Sequence, residues 1–156
     1  MEKSEKNFLE KFADVIPGLS GYRAREDRRT TDKRLREYLA ARIDRVRGAL
    51  DDQKLLLTNQ GNLAALNDVG LLGRKLQAAG DSLRFATYGY SGFFDQLKIK
   101  EEQLGQIYAH DLKLADAVEA LEKLVADPGH TTDQAAASVK AIEDLLAQRK
   151  SLFEAP

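Results

Sequence analysis

The sequence predicts an all-α fold: an elongated, antiparallel, up-down-up-down four-helix bundle with a short N-terminal helical arm. Three observations predict it. Apolar residues recur three and four apart through most of the 156 positions, no segment alternates in the manner of a strand, and each periodic stretch ends in glycine, proline or asparagine. With 43% hydrophobic residues the chain can bury one core. Residues 1–156 are therefore read as a single domain, with 1–19 the arm and 20–156 the bundle.

The arm comes first. Phe8, Leu9, Phe12, Val15 and Ile16 give a short helix one apolar face, and Pro17-Gly18 stops it. A helix of this length is stable only when docked. The first long helix carries Leu35, Leu39, Ile43, Val46, Leu50 and Leu57, and it ends at "TNQGN", where Gly61 supplies the C-cap. The second runs from about Leu63 through Leu66, Leu76 and Leu83. Gly70, Gly73 and Gly80 fall near one face of it, which suggests close approach of a neighbouring helix.

The third long helix presents Leu104, Ile107, Tyr108, Leu112, Ala115, Val118, Leu121 and Val125, and "DPGH" breaks it. At its start Ile99 can staple onto Leu104, with Lys100 at the cap and Gln103 reaching back. The fourth opens at Thr131, whose spacing to Gln134 is that of a capping box, and buries Val139, Ile142, Leu145, Leu146, Leu152 and Phe153. Helices of roughly 25 residues span about 35–40 Å, so the expected shape is a rod with coiled-coil-like seams. Leu55, Leu56, Leu71 and Leu72 widen those stripes, or build a seam between copies in a homo-oligomer.

Composition removes several chemistries. There is no cysteine, so disulfides, thiolate nucleophiles and cysteine metal sites are excluded together. The net charge of −1 gives no global field toward nucleic acid, and the acids interleaved among the arginines disfavour that partner further. No apolar run reaches the ~18 residues of a membrane span, and the N-terminus lacks a secretory signal, so a cytoplasmic protein is expected.

His110 and His130 are the only histidines and lie on separate parts of the bundle. No Glu-x-x-His occurs, which argues against a carboxylate-bridged metal pair. "GYSGF" lacks the Gly-x-Ser-x-Gly spacing of a nucleophile elbow. Glu101-Glu102 and Asp51-Asp52 are adjacent, hence on different helix sides. No catalytic residue, metal or cofactor is assigned.

What stands out lies at one end. Topology brings the start of the first long helix, the end of the second, the start of the third and the end of the fourth together, here called the basal end. "YGYSGFFD", Tyr88 to Asp95, is basal, and its rings must be buried or used. The stretch Tyr22 to Arg36 is basal too, and it is the most highly charged in the chain. Extending the apolar stripe backward from Leu35 lands on Asp32, Arg28 or Arg29, Arg25 and Tyr22. Either the helix projects into water there, or a polar network seals the core, and any buried arginine then requires a carboxylate partner.

Together "PGLSGYRAREDRR" and "YGYSGFFD" resemble a family of bacterial all-helical proteins without an assigned reaction. The resemblance implies a fold and no catalytic residues. Some members are encoded near SPFH-domain membrane-scaffold proteins, which points to a protein partner without identifying it. The family pattern has an acidic cap where Lys100 stands.

The expected function is non-enzymatic protein–protein contact through the basal end, with Tyr22, Arg25, Arg28, Arg29, Asp32, Tyr88, Tyr90, Phe93, Phe94 and Asp95 as the contact residues. The alternative is a small anionic ligand held there by arginines and oriented by tyrosines, which demands a concave pocket with inward guanidinium groups.

Overall fold

The computed structural model describes residues 2–16, 27–86 and 101–154. Every regular element among them is a helix: α1 Glu2–Phe12, α2 Asp27–Asn59, α3 Leu63–Arg84, α4 Glu101–Ala126 and α5 Thr132–Glu154. The predicted all-α bundle is what the chain forms. At 33 residues α2 is longer than the sequence spacing suggested, and it extends about 50 Å at the usual rise.

The turns follow from local chemistry. Gly61 has φ of 71°, the left-handed conformation that favours glycine. Around it Gly61 N donates to Thr58 O at 3.1 Å and Asn62 N to Leu57 O at 3.0 Å, which closes α2 in a Schellman motif. Asn62 then begins α3, its Oδ1 accepting from Ala65 N at 3.2 Å. The capping box at α5 forms as the spacing predicted: Gln134 N donates to Thr131 Oγ1 at 3.1 Å, and Thr131 N donates to Gln134 Oε1 at 2.9 Å. The predicted staple at Ile99 and Lys100 lies outside the described residues.

One core joins the helices. Leu39, Ile43, Leu76, Leu114, Val118, Leu121 and Ile142 are fully buried, with contributions from α2, α3, α4 and α5. Along α2 and α3, Arg36 reaches Leu83 O while Arg47 reaches Gln77, so rising numbers on α2 meet falling numbers on α3. α1 lies against α4, with Phe8 stacked on Tyr108 at 4.4 Å between centroids and Phe12 edge-on to Tyr38 of α2 at 6.2 Å.

Three expectations change. Val15 is 47% exposed, because the chain leaves α1 after Phe12 and returns only Ile16 to the core. Leu72 is buried beside Val69 and Leu76, whereas Leu55, Leu56 and Leu71 are exposed. The glycines of α3 do not mark a close approach: a Cβ at Gly73 meets nothing within 4 Å, one at Gly70 meets only the end of Arg74, and only Gly80 faces α2, at ordinary contact distance.

Candidate functional site

The backward extension of the α2 stripe ends in a buried polar network. Asp32 and Arg36 on α2, Asp111 on α4 and Arg149 on α5 are all buried, Asp111 to 2% and Arg149 to 4% exposure. Each occupies a position where the helical period places an apolar side chain, so burial is imposed by packing and partners become obligatory.

The partners are present. Arg149 Nε donates to Asp111 Oδ1 at 2.8 Å, and its Nη2 donates to Asp32 Oδ1. Arg36 Nε donates to the other oxygen of Asp32 at 2.8 Å. Arg36 Nη1 also donates to Leu83 O at 2.6 Å and to Arg84 O at 3.3 Å, so the cation caps the C-terminal carbonyls of α3, where the helix dipole favours it. Among the described residues two guanidinium groups meet two carboxylates, and one set of bonds links α2, α3, α4 and α5. Phe153 covers the Arg149 guanidinium, its ring centroid 4.8 Å away.

Burial pushes the Asp111 carboxyl above its ordinary value, against the pull of Arg149 and with the Asp32 carboxylate adding to the rise. His110, next along α4, donates from Nε2 to Leu145 O at 2.7 Å, a structural bond that ties α4 to α5. His130 donates from Nδ1 to Asp127 O within its own turn. Among the described residues no group of three metal-ligating side chains comes together.

A small cavity of about 10 Å³ adjoins the network, lined by Phe8, Thr31, Asp32, Leu35, Tyr108 and Asp111 among others. It has room for about one water. Its polar wall carries carboxylates, and neither Arg36 nor Arg149 lines it. An anion in this cavity would meet like charge, and the Arg36 and Arg149 guanidinium groups beside it are engaged by Asp32 and Asp111.

Of the sequence-assigned residues, Asp32 is at the centre of the network and Arg29 is exposed on the first turns of α2. Tyr22, Arg25, Tyr88, Tyr90, Phe93, Phe94 and Asp95 lie outside the described residues, as does the side chain of Arg28. The sequence reading missed Asp111 and Arg149, although both interrupt apolar stripes as Asp32 does: Ile107, Asp111, Leu114 on α4 and Ile142, Arg149, Phe153 on α5. It also missed Phe85, the residue after α3, which is 73% exposed at the same end. No helix among the described residues is long and apolar enough to cross a membrane.

No family model matches this chain, and no curated protein or solved structure matches it either.

Proposed function

We propose that the protein is a non-enzymatic helical bundle that works by protein–protein contact at its basal end. The observation that carries this reading is Phe85. This residue is 73% exposed, directly after carbonyls that the buried Arg36 holds in place. A large apolar side chain presented from a braced helix end costs solvation in the free protein and gains it back against a partner. Exposed Arg29, Lys33 and Arg34 at the start of α2 supply charge at the same end, the composition that suits a contact surface with an aromatic anchor.

The buried arginines support the same reading from the other side. Arg36 and Arg149 are engaged with carboxylates and carbonyls, so they brace the surface and leave recognition to its exterior. Residues Tyr22, Arg25, Arg28, Tyr88, Tyr90, Phe93 and Phe94 belong to the proposed surface by their place in the chain.

The test is crosslinking capture with the wild type, Phe85→Ala and the Arg28→Ala/Arg29→Ala double variant. A specific protein partner should be captured by the wild type and lost from both variants, with helicity and melting temperature retained. A thermal shift with phosphate or phosphorylated metabolites that disappears in the double variant would instead support an anion site and overturn the proposal.

A further inference from the structure

α1 is bound to the bundle in the manner of a ligand. It has 11 residues, fewer than an isolated helix needs to persist in water. Its grip has two parts. Phe8 inserts between α2 and α4, stacking on Tyr108 beside Leu35 and Leu104, and Phe12 follows one turn later against Tyr38. Lys11 reaches the acidic rim of α4, bonding Asp116 and lying 3.5 Å from Glu119. Beneath it α2 and α4 also have a link that does not involve α1: Arg42 of α2 forks Glu122 of α4 directly, at 2.6 and 2.9 Å.

We propose that the α2–α4 groove is a helix-binding site and that α1 is its built-in, displaceable occupant. The external partner is an amphipathic helix of another protein that carries two aromatic residues four apart and a basic residue beside the second. Both halves of that description come from the complementarity on view: two aromatic seats one turn apart, and a pair of carboxylates flanking the second. The groove is walled by α2 and α4 whereas Phe85 follows α3, and the two readings call on different residues, so failure of this inference leaves the basal contact reading standing, and the reverse also holds.

The probe is a labelled peptide of residues 1–16, MEKSEKNFLEKFADVI. Its affinity is measured for the full-length wild type and for the full-length Phe8→Ala/Phe12→Ala variant, whose own α1 no longer fills the seats. The peptide should bind the variant, and bind the wild type at least about tenfold more weakly, because a tethered α1 competes at an effective concentration on the order of millimolar. A peptide carrying Lys11→Glu should lose affinity and regain it on a chain that also carries Asp116→Lys. A cooperatively folded variant that takes up no peptide overturns the proposal.

Hydrogen exchange on the unaltered chain keeps the test decisive if the double variant does not fold. The amides of α1 should exchange at least about tenfold faster than those of α4 beneath them, through an opening that leaves the bundle closed. Exchange of α1 in step with the core would make it an integral fifth helix and overturn the proposal. Concentration-dependent dimerisation that places the α1 of one copy on another would assign the groove to a second copy, and overturn the external partner.

Discussion

Arg149 Nη2 donates to Asp32 Oδ1 across 117 positions of sequence, tying the last turns of α5 to the first turns of α2. From that bond the network passes to Asp111 on α4 and, through Arg36, to the carbonyls that end α3. Every bundle helix therefore has one polar attachment at the same level. Sliding any helix along its axis would separate a buried charge from its partner, a penalty that apolar packing alone does not impose. The network selects one axial arrangement, and it does so directly beneath the end that presents Phe85.

Breaking this network should be costly. Arg149→Ala leaves Asp32 and Asp111 buried beside each other without their shared cation, and the expected loss is about 3–5 kcal/mol in urea unfolding. Asp111→Ala should be strongly destabilising as well, and the double variant should fall short of the sum by about 1 kcal/mol or more, because both changes break one contact. Replacing Asp111 and Arg149 together by leucine should cost less than Arg149→Ala alone, since Asp32 keeps Arg36 and no carboxylate is left without a cation. Additive single effects would mean that the charges act independently.

Two aspartates should give pH dependences of opposite sign. The hydrogen bond from Arg84 holds the Asp44 carboxyl below its ordinary 3.8, with Arg47 adding to the effect. The native state then binds fewer protons than the unfolded chain between these two values, so the stabilisation is present above the ordinary value and is lost as pH falls through the native one. The advantage of wild type over Asp44→Asn should hold from about pH 7 to 5 and shrink below about pH 4. For Asp111 burial raises the native value above 3.8. Its contribution is greatest below 3.8 and declines as pH rises through the native value, so the gap to Asp111→Asn should narrow on going up in pH. Parallel pH profiles for the two comparisons would contradict this assignment.

The stripes that define the core were legible because burial of Leu39, Ile43, Leu76, Val118 and Ile142 follows the helical period. So were the turn at Gly61 and the box at Thr131, whose signals are local. Asp32 was legible as a polar residue in an apolar register. Its partners were not, because Asp111 and Arg149 sit far along the chain, and nothing local says which charge meets which. The α3 glycines were misread for a related reason: a shared face is readable from spacing, but whether another helix lies on that face depends on tertiary packing. Phe85 escaped notice because exposure of a single ring at a helix end has no periodic signature.

The caps give a smaller and cleaner prediction. Thr131 accepts from Gln134 N at 3.1 Å, and its loss in Thr131→Ala should cost about 1 kcal/mol. Asn62→Ala should cost a similar amount, because Oδ1 serves the N-terminus of α3, whereas Asn62→Gly should cost only a few tenths of a kcal/mol. Denaturant midpoints should shift with unchanged slopes, and a large change in slope would point to a denatured-state effect instead.

Glycine substitutions should separate helical positions from the turn. Gly48 and Gly73 lie inside α2 and α3, and a Cβ at either meets nothing within 4 Å. Alanine there removes backbone freedom from the unfolded chain without touching a neighbour, so each change should stabilise by about 0.5–1 kcal/mol. Gly80→Ala should also be tolerated, since its Cβ would meet Arg84 Nη1, the far end of a flexible side chain, at 3.5 Å, and Asp44 and Ile43 at 3.8 and 4.0 Å. Gly61→Ala has the opposite sign: at φ of 71° the new Cβ strains the backbone, for a loss of about 1–2 kcal/mol. Thermal melts of the four variants therefore order them by backbone conformation. Destabilisation by Gly73→Ala would require a neighbour over that face, which a second copy of the chain could supply, and a concentration-dependent melting temperature would distinguish that case.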